Sequence, residues 1–160
     1  MTDGASGLPR VFQLDRASLQ AARGLVYDGD PDLAAADQRL LQDAGAARAV
    51  GPFSVVSKTC LPPSGDAHDY LSQGPYWWPD PDTEDGLPWV RRDGEANPDR
   101  EVHDRHALAA MMSAVNTLSA AYYFTDHEDF AECAGLLLRT WFLDPQTRMN
   151  PHLQYAQGIP

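Results

Sequence analysis

The chain has 160 residues, 43% of them apolar, which suffices for one globular core and falls short of two generous ones. Its formal charge is −11, from 12 arginines and lysines against 23 carboxylates, and Lys58 is the only lysine. No stretch approaches the ~20 consecutive apolar residues of a membrane span, and the acidic balance excludes the dense basic face that non-specific nucleic-acid binding requires.

From the start of the chain, Met1 to Arg10 carries Asp3, small residues and Pro9, and so lacks the basic start and apolar run of a signal peptide. A first helix follows. Asp15 is its expected cap, Leu14 staples to Leu19, Ala22 and Val26 continue the apolar face, and Asp28-Gly29 is the stop. A second helix is expected with Asp30 as cap and Pro31 at its first position, and with Leu33, Ala36, Leu40, Ala44 and Ala47 at three- and four-residue steps. The short connection makes residues 1–50 an antiparallel helical hairpin.

Residues 51–101 have no sustained helical period. Trp77, Trp78 and Trp89 would each leave a large apolar surface in water, so this stretch is expected to be an ordered lid or groove loop and not a linker. Val55-Val56 reads as a brief strand. The third helix is expected from Asp104, with Leu108, Met111, Val115, Leu118 and Tyr122 on one stripe. A fourth starts at Asp126, with Phe130, Cys133, Leu137 and Trp141, and closes at Asp144-Pro145. These make a second hairpin over 104–144, followed by a groove segment over 145–160. The expectation is therefore one all-α domain whose helical hairpins are layered as a toroid or a solenoid. Cys60 and Cys133, a single possible pair, read as two free, buried thiols, with a disulfide as the alternative.

Two loop stretches concentrate hydrogen-bonding groups beside flat aromatic faces: residues 62–70 and residues 74–79. Pyranose rings have C–H faces that pack on aromatic rings and rims that need donors and acceptors, so this mixture suits a carbohydrate. Adjacent residues point different ways, so one of Trp77 and Trp78 is expected in the core and the other at a cleft. Arg91 and Arg92 can clamp a carboxylate in bidentate fashion, or make solvated ion pairs with Asp93, Glu95 or Asp99. His103, Asp104 and His106 invite a metal reading, because positions three apart share a helix face, but no further ligand stands nearby. The acidic run Asp80 to Gly86 fails as a calcium loop, because Asp85 stands at the glycine position and Arg91 at the closing glutamate. Neither metal nor cofactor is expected.

The order of motifs is more specific than any one of them. Lys58-Thr59, Pro62-Pro63-Ser64-Gly65-Asp66, His68-Asp69-Tyr70, Tyr76-Trp77-Trp78-Pro79-Asp80-Pro81, Arg91-Arg92-Asp93-Gly94-Glu95 and Asn97-Pro98 resemble the alginate lyase superfamily. The resemblance continues through Ala121-Tyr122-Tyr123-Phe124-Thr125, Leu137-Leu138-Arg139-Thr140-Trp141-Phe142, Met149-Asn150-Pro151 and Tyr155-Ala156-Gln157-Gly158.

That resemblance implies helical hairpins curled into an incomplete (α/α) toroid with a substrate groove, and β-elimination on a uronate-containing polysaccharide of alginate or glucuronan type. It also implies a periplasmic or secreted setting. Lyases of this kind generally use an Asn-Asn-His motif, which this chain does not contain, so the chain is expected to be the N-terminal portion of a longer protein. Within it, the candidates for proton transfer are His68 and Tyr155, and those for substrate contact are Lys58, Tyr70, Trp77, Trp78, Arg91, Arg92, Asn150 and Gln157. For His68, Tyr155, Asn150, one of the two tryptophans and the two arginines a structural role is the competing reading. The partner is an acidic polysaccharide or oligosaccharide, with no nucleic acid and no membrane. Competing functions are a non-catalytic glycan-binding module, a toroid glycoside hydrolase working through paired carboxylates, and a helical interaction scaffold.

Overall fold

The computed structural model describes residues 11–12 and 14–158; the reading of Met1 to Arg10 lies outside them. The described residues form four α-helices and four short strands: α1 (Arg16–Tyr27), α2 (Ala34–Ala47), β1 (Leu71–Gln73), β2 (Trp77–Trp78), β3 (Val90–Arg91), α3 (Arg105–Thr125), α4 (Glu128–Phe142) and β4 (Tyr155–Gly158).

Helix α1 begins where Asp15 accepts the Ser18 amide at 2.7 Å, and it ends at Asp28, followed by Gly29 at φ +75°. Leu14 stays 60% exposed, so the expected staple does not seal it. Helix α2 starts later than expected. Asp30 spends its carboxylate on the Asp32 amide, closing a turn over residues 30–33, and the first helical residue is Ala34.

The core lies where α3 packs against α2 and α4. Met111, Leu118, Leu137 and Trp141 are almost fully buried there, joined by Ala44, Ala114, Ala121 and Phe130. Each large apolar side chain so buried contributes about 1.5–3 kcal/mol, and the alanines let the helices approach closely. Asp126, expected to start α4, instead closes α3 in the left-handed region at φ 56°; α4 begins at Glu128 behind His127. An aspartate tolerates that backbone better than most side chains, which accounts for the tight corner.

Between the hairpins the chain holds the three strands β1–β3 and two 3-10 turns, Val55–Ser57 and Pro98–Val102. Val55-Val56 is thus helical, not extended, because the Ser54 hydroxyl accepts the Val56 amide and caps a single turn. The two cysteines are free, but Cys60 is exposed and Cys133 half-buried, which corrects the expectation of two buried thiols. The strands, absent from an all-α expectation, form two small ribbons: β1 with β4 in parallel, β2 with β3 antiparallel. Among the described residues no helix is long and apolar enough to cross a membrane.

Candidate functional site

The parallel ribbon brings the two ends of the second half of the chain together. Leu71 pairs with Tyr155 and Gln73 with Gly158, with a break in register between them. At the break the Gln157 amide donates to the Ser72 hydroxyl at 2.8 Å, and Gln157 takes φ 51°, a conformation that glutamine rarely adopts. Two cavities adjoin the ribbon and share Ser72 and Gln73 as walls. One, of about 350 Å³, is bordered by Tyr155, His103, Cys60 and Gln154; the other, of about 430 Å³, by Tyr70, Gln157, Arg105 and Leu108. Of the candidates read from sequence, Tyr70, Tyr155 and Gln157 meet here.

Asn150 and His68 lie behind the ribbon and hold it in place. The buried Asp69 carboxylate accepts from Asn150 Nδ2 at 2.6 Å, Ser64 Oγ at 2.7 Å and His152 Nε2 at 2.9 Å. The bonds from Asn150 and then Ser64, with the nearby His152, outweigh burial and hold its carboxyl below the usual carboxylate range. Asn150 also reaches Asp66, and its amide donates to the His68 carbonyl at 2.9 Å. His68 Nδ1 is 2.7 Å from the Arg148 carbonyl. A carbonyl only accepts, so Nδ1 carries the proton, and in the neutral ring Nε2 keeps its lone pair.

The tryptophans and the adjacent arginines sit on the other ribbon. Trp77 and Trp78 are both half-buried, so neither is the core residue expected of one of them. The Trp77 ring lies on Gly74, and its carbonyl accepts from Gln73 and Asn97, which ties this ribbon to the first. Trp78 donates its indole N–H to the Glu95 carbonyl, with the Arg92 guanidinium 5.1 Å from the ring centroid. Arg91 is bound to Asp93 at 2.8 Å and Arg92 is near Glu95 at 3.9 Å, the solvated-pair arrangement. Neither tryptophan nor either arginine borders the two cavities.

Lys58 is not open to a ligand. Its side chain is 2% exposed, and its ammonium is bound to Asp104 at 3.0 Å and to the carbonyls of Ala67 and Val55. All three donors are occupied, so its role is internal. Burial pushes the Asp104 carboxyl up against the opposing pull of the Leu71 amide and Lys58, and burial lowers His103 beside it. Asp69, His152, Ser72 and Arg105 were not singled out from sequence. Ser72, Arg105 and His152 carry no local signal; Asp69 stands inside a quoted motif beside residues that drew more notice. Among the described residues no group of three or more His, Cys, Asp or Glu could hold a metal ion.

The alginate lyase family model matches residues 54–160. The chain is similar to an alginate lyase from Bacteroides ovatus of known crystal structure, with 47% identity and a TM-score of 0.84, over 90% of this chain and 37% of that one. No curated protein matches the chain. The chain belongs to the alginate lyase family. It spans little more than a third of the length of the Bacteroides ovatus protein.

Proposed function

We propose that this protein is part of a polysaccharide lyase that cleaves a uronate-containing polymer by β-elimination, with its four helices belonging to an incomplete (α/α) toroid whose groove passes the β1–β4 ribbon. The observation that carries this is the convergence of Tyr70, Tyr155 and Gln157 on two adjoining cavities in a member of the alginate lyase family. In the reaction a base removes the proton at C5 of the uronate, the bond from C4 to the bridging oxygen breaks, and an unsaturated sugar end remains. The C5 proton is weakly acidic, so the neighbouring carboxylate must be neutralised and the departing oxygen protonated.

Tyr155 is the proton-transfer candidate on a cavity wall, with the His152 ring edge-on at 6.3 Å between centroids. His68, through its unprotonated Nε2, is a second candidate whose present bonds also secure the loop. Tyr70 and Gln157 supply a flat face and an amide for the sugar, and Trp78 under Arg92 supplies a platform farther along.

The test is incubation with polymannuronate, polyguluronate and polyglucuronate, following ultraviolet absorbance of the unsaturated product. Absorbance growth that falls in Tyr155→Phe supports the reading. Saturated reducing ends would instead show hydrolysis. Binding without either product, also in the protein that includes the Asn-Asn-His motif, would show a glycan-binding module.

A further inference from the structure

We infer that Arg105 recognises the carboxylate of the bound uronic-acid residue in the cavity it shares with Tyr70, Ser72 and Gln157, a role assigned from sequence to Arg91 and Arg92; this rests on the function proposed above and deepens it. The charge balance points to Arg105. In so acidic a chain most described cations are already matched: Lys58 with Asp104, Arg91 with Asp93, Arg92 with Glu95, Arg100 with Glu101. Among the described residues Arg105 has no carboxylate partner and no side-chain hydrogen bond. Arg139 and Arg148 also lack a carboxylate, but they border neither cavity.

Its surroundings favour an anion. Arg105 is the first residue of α3, whose first turn holds no acid and whose cap residue, Asp104, gives the helix no side-chain bond because its carboxylate is turned to Lys58 and Leu71. The cavity volume of about 430 Å³ falls in the usual range of small-molecule sites, about 300–1,000 Å³. Leu108 and Leu153 give it an apolar side for the sugar's C–H face, while Gln157 and Ser72 give it polar groups. A guanidinium in that wall can hold a carboxylate through two parallel N–H bonds, and a neutral sugar cannot reciprocate.

The experiment measures, by calorimetry on the whole chain, binding of a short oligomannuronate and of its carboxyl-reduced neutral counterpart, with thermal unfolding as the check on folding. The wild type is expected to prefer the acidic ligand. Arg105→Ala should weaken acidic-ligand binding on the order of 10- to 100-fold and leave the neutral ligand unchanged, while Arg105→Lys keeps part of the preference and Arg139→Ala all of it. Should Arg105→Ala fail to fold, the partial loss in Arg105→Lys decides. A folded Arg105 variant that retains the wild-type preference overturns the inference and leaves the proposed function standing. Equal losses for both ligands overturn it as well, since the residue would then serve packing. A wild type that binds neither ligand overturns the proposed function and this inference together.

Discussion

Leu71 and Asp104 are bound to each other twice. The Leu71 amide donates to the Asp104 carboxylate at 2.8 Å, and the Asp104 amide donates to the Leu71 carbonyl at 3.1 Å. One residue at the head of α3 therefore does for the free edge of β1 what a neighbouring strand would do, and Lys58 neutralises it from behind. Taking away one member of a buried pair leaves the other charge uncompensated. Lys58→Met and Asp104→Ala are each expected to lose about 3–5 kcal/mol of stability, with the double variant losing less than the sum. Urea unfolding measures this; single variants within experimental error of wild type would show that the pair anchors nothing.

Asp69 gives the fold an acid-sensitive joint. Its folded-state pKa lies below the ordinary 3.8, so the carboxylate stabilises the fold above that value, and the contribution disappears as pH falls through the lower folded-state value. Asp69→Asn should cost about 1.5–3 kcal/mol near neutral pH and show a shallower loss of stability towards acid than wild type. Parallel acid limbs for the two proteins would refute the assignment.

Gly74 leaves no room for a side chain. A Cβ there would lie 2.8 Å from Cδ1 of Trp77. Gly74→Ala is therefore expected to displace the indole, with a shift in tryptophan fluorescence and a loss of about 1–3 kcal/mol, the usual cost of overpacking. An unchanged emission spectrum would mean that the backbone yields instead.

The two arginines of the β2–β3 ribbon should differ from each other. Arg91 has only an exposed ion pair, so Arg91→Ala is expected to stay within about 0.5 kcal/mol of wild type. Arg92 also covers the Trp78 ring, and Arg92→Ala should lose about 0.5–1 kcal/mol. Denaturant midpoints at low and high salt separate the ionic part from the stacking part.

The helices were legible because their signals are local. The Asp15 cap, the stripe Met111-Leu118 and the run Phe130-Leu137-Trp141 need only three- and four-residue spacing, and all are found. Boundaries went astray where a side chain had two uses: Asp30 closes a turn instead of capping, and Asp126 adopts a left-handed corner. The site was legible only in part. Tyr70, Tyr155 and Gln157 could be picked by type, but Asp69 acquires its role from Asn150, 81 positions away, and no periodicity carries information over that span. Lys58 was singled out only through the resemblance, and its burial against Asp104, which read as an ordinary helix start, could not be seen from sequence spacing.

The parallel pairing of β1 with β4 also sets when the candidate site can come into being. Its contact between Ser72 and Gln157 spans 85 residues, and closing so long a loop costs entropy that is repaid only after the α3–α4 hairpin has docked between the two ends. The cavities beside the ribbon do not exist in any partly formed state that lacks it. A ligand that filled them would bind only the folded chain, and so would raise its stability by mass action.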